Sequence, residues 1–178
     1  SGDCELTFFT TADPAGYQAY RRSLTLMLMK AVYKVAGNEA VHRAQVQHSL
    51  SSGYYCTLEG DLTLDEAFLE AVREKMLEYV EKKLPIEKRN VNTDQALKIF
   101  HEHRMYDKEK LFRYRRASRV NIYKMGDFED YFYGYMVPNA GYLKYFDLHL
   151  YEGGFVVQFP DRKAPRTIPP FTPQGKIF

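Results

Sequence analysis

Near residue 119 the apolar pattern of the chain changes period. Before it, hydrophobic residues recur every three or four positions; after it they alternate, and glycines break the run into short pieces. Val120 to Met125, Phe128 to Met136, Tyr142 to Leu150 and Phe155 to Phe159 are four strand candidates, separated by Gly126-Asp127, Pro138-Asn139-Ala140-Gly141 and Glu152-Gly153-Gly154. They predict a meander of antiparallel strands. Upstream, Leu24, Met27, Leu28, Ala31, Val32 and Val35 fall on one face of a helix running from about Gly16 to Ala36, which Gly37-Asn38 ends. Ser23 to Leu28 also alternates as a strand would, but the longer pattern and the absence of turn residues favour the helix.

Three further elements fill the middle. Ala44 to Leu50 and Tyr54 to Leu58, joined by Ser51-Ser52-Gly53, read as a hairpin. Thr63 and Glu66 have the spacing of a capping box, with the Thr63 hydroxyl facing the Glu66 amide. The helix they open carries Leu64, Phe68, Ala71, Val72, Met76, Tyr79 and Val80 on one side and stops at Leu84-Pro85. A short strand over Ile86 to Val91 precedes a smaller helix, capped by Asn92 and Thr93, and Asp107 begins another turn or two. The class is α+β: an antiparallel sheet packed with two long helices.

Both ends read as cut. Glu5 to Thr10 is strand-like almost from the first residue, so residues 1-15 are expected to end, or lead in from, a preceding domain. Five of the eight prolines fall in 160-178, which has the composition of a solvated linker or of a plain tail. The body is then 16-159.

A net charge of +2 carries no whole-molecule preference for nucleic acid or membrane. Cys4 and Cys56, 52 positions apart, make neither a zinc pattern nor a disulfide framework, and with no secretory signal a cytoplasmic location is expected, with no membrane partner. A phosphate loop is missing: Gly175-Lys176 is followed by Ile177, and Pro170 stands where the first glycine would be. His101 and His103, two apart, diverge and cannot share a metal as an i, i+4 pair could; no metal is expected. His42, His48 and His149 are isolated, and no catalytic triad can be assembled. Arg113, Arg115, Arg116 and Arg119 around Tyr114 suit phosphate and base stacking, or simply a solvated turn. Of 15 tyrosines, seven fall between Tyr123 and Tyr151. They form either a ring-lined binding surface or a core whose polar tips reach the edge.

The order of helix, the hairpin with Gly53-Tyr54-Tyr55, the second long helix, the short helix and the segment holding Gly134 with Val137-Pro138-Asn139 resembles the second additional domain of threonyl-tRNA synthetases, which hydrolyses mischarged threonyl-tRNA. The resemblance covers about 16-159. Aligned through Val-Pro-Asn, the family's cysteine falls on Phe132 and its histidine on Met136, and its His-x-x-x-His pair falls on Arg22 and Leu26. None of these replacements except arginine is polar, so no catalytic residue carries over. The same stretches, with the proline-rich exit, also resemble the middle region of bacterial nucleoside kinases of the uridine kinase type. That likeness implies a ubiquitin-like domain before this one and a kinase domain after it as partners, with ATP and Mg²⁺ in the kinase and no cofactor here. On it, the domain is an accessory module that recognises a nucleoside, nucleotide or RNA. The alternatives are an aminoacyl-tRNA editing hydrolase or RNA-end binder, and an interdomain spacer. Arg22, Tyr54, Tyr55, Tyr133, Tyr135 and His149 are the expected pocket residues, Arg22 meeting a phosphate or carboxylate unless it is an ion pair at a helix end.

Overall fold

A computed structural model describes residues 13-114, 119-161 and 167-171. Among them, helices α1 (Pro14–Ala36), α2 (Glu66–Lys82), α3 (Thr93–Glu102) and α4 (Tyr106–Arg113) accompany strands β1 (Val41–Leu50), β2 (Gly53–Gly60), β3 (Ile86–Asn92), β4 (Arg119–Met125), β5 (Phe128–Tyr131), β6 (Asp147–Tyr151) and β7 (Gly154–Gln158). The class is α+β, with antiparallel sheets packed against two long helices.

The strands do not form one meander. They divide into a four-stranded sheet ordered β1-β2-β7-β6 and a three-stranded sheet ordered β3-β4-β5. Composition explains the division. Every residue of β7 is buried, so it needs a neighbour on each edge and cover on both faces, and a terminal meander gives it too little. It inserts beside β2 with Gly53 opposite Gln158 and Cys56 opposite Phe155. Gly53 is required there, because a Cβ would lie 2.0 Å from the Val157 carbonyl oxygen.

Helix α1 is the centre of the molecule. From Ser23 to Tyr33 every residue is buried, so the helix is enclosed on all sides rather than along one stripe, which is why its sequence alternates ambiguously. Leu24, Leu26, Met27 and Leu28 have no exposed surface, and full burial of such a side chain stabilises by roughly 1.5–3 kcal/mol. The helix stops where expected: Gly37 takes φ 94° and donates its N–H to the Tyr33 carbonyl. Lys30 reaches the edge, where it bonds Asp127 at 2.7 Å and passes over the Tyr79 ring.

Four local readings are corrected, and the Asn92 cap is found where expected. The N-cap of α2 is Asp65, whose carboxylate accepts from the Phe68 N–H at 2.8 Å; the helix starts at Glu66, so Thr63 lies too far upstream to cap it. Asn92 caps α3 in a reciprocal box with Gln95. Strand β5 ends at Tyr131 rather than Met136, since Gly134 at φ 113° breaks the extended run. Tyr142 closes a 3-10 turn (Ala140–Tyr142) that Asn139 caps, and β6 begins only at Asp147. The proline-rich tail is not wholly solvated: Gln158 donates to the Pro169 carbonyl at 2.7 Å, and Phe171 stacks on His149 with ring centroids 4.5 Å apart. The Glu5 to Thr10 run and Arg115 and Arg116 lie outside the described residues.

The loop 132-141 is irregular yet held along its length. Tyr123 donates its hydroxyl to the Gly134 carbonyl at 2.6 Å, Arg22 Nε donates to the Tyr135 carbonyl at 2.9 Å, and the Val137 N–H donates to Ser23 Oγ at 2.8 Å. Further along, Ile86 N–H bonds the Pro138 carbonyl and Ala140 N–H the Leu84 carbonyl. The backbone groups that a strand would have paired in a ladder are taken by side chains of α1 and β4 and by the turn before β3.

These contacts set two expectations for stability. Ser23→Ala leaves the Val137 N–H buried without an acceptor and is expected to cost about 1–3 kcal/mol in urea unfolding. The hydrogen bond from Lys30 holds the Asp127 carboxyl below the usual carboxylate range. A carboxyl lowered on folding contributes stability that is present above its unfolded value, about 3.9, and lost as pH falls through the folded one. In acid titrations of thermal stability below about pH 4, Asp127→Asn should therefore show a shallower loss than the parent chain.

Candidate functional site

Where α1 passes between the two sheets, a cleft opens along it. One end, about 370 Å³, is lined by Arg22 and Thr25 of α1, Val46, His48 and Ser49 of β1, Tyr54 of β2, and Phe132 after β5. The other, about 550 Å³, shares Thr25, Val46 and Phe132 and continues past Gln45 and Gln47 to Asp107, Lys108 and Leu111 of α4 and Asp130 of β5. Each volume is that of a small-molecule site. Thr25 faces the cleft because its neighbours on the helix are committed to the core, and its hydroxyl is turned back onto the Arg21 carbonyl at 2.8 Å.

Charge is divided between the two ends. Arg22 uses Nε on the loop, and no carboxylate among the described residues comes within ion-pair distance of its guanidinium. Its neighbour Arg21 sits under Tyr54, with its guanidinium carbon 4.6 Å from that ring centroid, 4.9 Å from Phe159 and 5.5 Å from Tyr17. The Arg21 Nε is buried without an acceptor among the described residues, so the three rings are its main support. Thus the Arg22 end is cationic and uncompensated. At the other end Lys108 donates to the buried Asp130, and Asp107 accepts from Gln45 at 3.2 Å. Two carboxylates there face one ammonium.

Nucleophiles are scarce. Cys56 is fully buried in β2, and burial pushes its thiol up to about 12, where no useful thiolate forms at neutral pH. Among the described residues no three His, Cys, Asp or Glu side chains are placed to hold a metal. His48 is the one imidazole lining the described cleft. Its ring lies 5.2 Å from that of Tyr55, and its Nδ1 is 3.0 Å from the Ser49 carbonyl.

The residues singled out from sequence separate in space. Arg22, Tyr54 and Phe132 line the cleft. Leu26 is fully buried beneath it, and Met136 is buried with its sulfur 3.7 Å from Ser23 Oγ. Tyr133 and Tyr135 line neither end of the cleft and are largely exposed. Tyr55 is turned away: its hydroxyl bonds the Glu152 carbonyl and its ring meets Tyr151. His149 belongs to the tail contact, bonded to Gln158 at 2.9 Å and covered by Phe171. A phenol-lined pocket is therefore corrected to a cleft with one phenol, Tyr54. Alternation along β2 sends Tyr54 and Tyr55 to opposite faces, a signal present in the sequence. Asp107, Lys108 and Asp130 are not legible as site residues in the sequence, and His48 only as a candidate for the hydrolase alternative; the pairing of separate elements brings them together. His101 and His103 take different carboxylates, Glu109 and Glu129.

No family model matches the chain. It is similar to the threonine–tRNA ligase of Thermotoga petrophila, 29% identical over 156 residues, which cover 86% of this chain and 24% of the ligase. The ligase of Syntrophotalea carbinolica is 27% identical over 180 residues, 91% of this chain and 27% of the relative. That of Fusobacterium nucleatum is 27% identical over 155 residues, covering 86% and 24%. The chain thus spans about a quarter of the length of these relatives, and they give no support to a nucleoside kinase parent. What it is similar to is a part, about a quarter, of these ligases.

Proposed function

We propose that the cleft binds the aminoacylated 3′ end of an RNA and does not hydrolyse it. The divided charge carries this reading. An aminoacyl nucleotide has a phosphate at one end and an ammonium at the other. The free guanidinium of Arg22 suits the first, and the surplus carboxylate of the Asp107–Lys108–Asp130 group suits the second. Tyr54, held from beneath by Arg21, offers a fixed ring for the base or ribose. Similarity to the threonine–tRNA ligases supports an RNA-end ligand, and the apolar Phe132 and Met136 at the positions of the resembling family's cysteine and histidine argue against ester cleavage.

Calorimetry with a non-hydrolysable 3′-aminoacyl-adenosine monophosphate analogue should give tighter binding than the unacylated nucleotide. Arg22→Gln should weaken both by about tenfold, the size of one charge-assisted hydrogen bond, whereas Asp107→Asn should remove only the preference for the acylated form. Equal affinity for acylated and unacylated nucleotide would overturn the reading.

One observation favours a second reading, editing hydrolysis: His48 borders the same cavity as Arg22 and could deprotonate a water there. On the proposal, the chain releases no amino acid from aminoacyl-RNA above the spontaneous rate. Turnover that His48→Asn abolishes would establish the hydrolytic reading instead.

A further inference from the structure

The loop between β5 and the 3-10 turn carries two rings that make no contribution to the core. Tyr133 is 84% exposed and Tyr135 75% exposed, and neither phenol makes a hydrogen bond among the described residues. They stand two apart, on either side of Gly134, whose backbone lies so close to Arg22 that a Cβ would sit 2.7 Å from the guanidinium carbon. The backbone beneath them is fixed by the bonds from Tyr123, Arg22 and Ser23, so the rings are presented on a rigid support. Two cations accompany them. Arg22 lies under the loop, and the Lys88 ammonium is 5.8 Å from the Tyr135 ring centroid. Neither has a carboxylate partner among the described residues.

Exposed rings on a fixed backbone beside unpaired cations match single-stranded nucleic acid, whose bases stack on the rings while its phosphates meet the charges. A protein partner fits less well, because lysine is depleted at the centre of protein interfaces. We propose that Tyr133 and Tyr135, with Arg22 and Lys88 beside them, are a stacking platform for one or two unpaired nucleotides of a single-stranded RNA whose terminal residue enters the cleft. The inference rests on the reading of the cleft given above and extends it to the nucleotides that precede the end.

Fluorescence anisotropy on the full chain, with 5′-labelled RNA of one to four nucleotides, separates the two. The platform requires affinity to rise over the first two added nucleotides. Tyr133→Ala and Tyr135→Ala should each weaken the trinucleotide by about tenfold and leave the mononucleotide unchanged. Lys88→Gln should reduce the slope of log affinity against log salt by about 0.7, one phosphate contact. Both tyrosines are solvent-facing, so the variants should melt with the parent chain. Affinity independent of length, or tyrosine variants that bind the trinucleotide normally, would overturn the platform while mononucleotide binding still upholds the cleft. Loss of mononucleotide binding with a retained length effect would sink the cleft reading and keep the platform. A chain that self-associates in sedimentation, and loses that association in the double tyrosine variant, would assign the surface to a second copy of the chain instead.

Discussion

The Ser23 hydroxyl is the contact on which the arrangement turns. Buried in the middle of α1, it donates to the Ala19 carbonyl and accepts from the Val137 N–H, joining the central helix to a loop more than a hundred residues away. A serine inside a helix normally weakens it slightly by competing for the backbone. Here the competition is useful, because the same oxygen satisfies a buried donor that belongs to no ladder. With that point fixed, Arg22 is directed to the Tyr135 carbonyl and Thr25 to the cleft, and Phe132 is turned inward as the wall opposite β1.

On the proposed reading, the cleft recognises its ligand by charge and shape. Of the groups that could attack or activate water, Cys56 is sealed in the sheet and Asp130 is held by Lys108, while His48 lines the cleft and Asp107 accepts from Gln45. What stays free is a guanidinium at one end and an excess carboxylate at the other. Arg22 is reached by solvent and makes no ion pair among the described residues, so its charge costs the fold little and remains available to a ligand.

Much of the architecture could be read from residues alone. The periodic stripe of α1, the Gly37 stop, the Ser51-Ser52 turn and the Asn92 cap are local signals, and each lies where the chain places it. What escaped was non-local. Nothing between Val120 and Phe159 says that β4 and β5 will join β3 while β6 and β7 join the hairpin; that choice depends on the need of β7 for cover on both faces. The run from Phe132 to Met136 alternates like a strand but is captured by side chains of α1 and β4. The cleft residues were half legible. Arg22, Phe132 and Tyr54 came from motif positions, whereas His48, Asp107 and Lys108 meet only after α4 and β1 are brought to one groove, and His149 was drawn off by a tail whose composition suggested solvent.

The partition into two sheets has a mechanical side. Strand β1 belongs to one sheet and Phe132 extends from the other, and no strand of the first pairs with a strand of the second. The opening is consequently a seam along the 23-residue α1 rather than a ladder edge, tied across by the Gln45–Asp107 hydrogen bond, so that what joins its two walls is one helix and one side-chain contact instead of strand pairing.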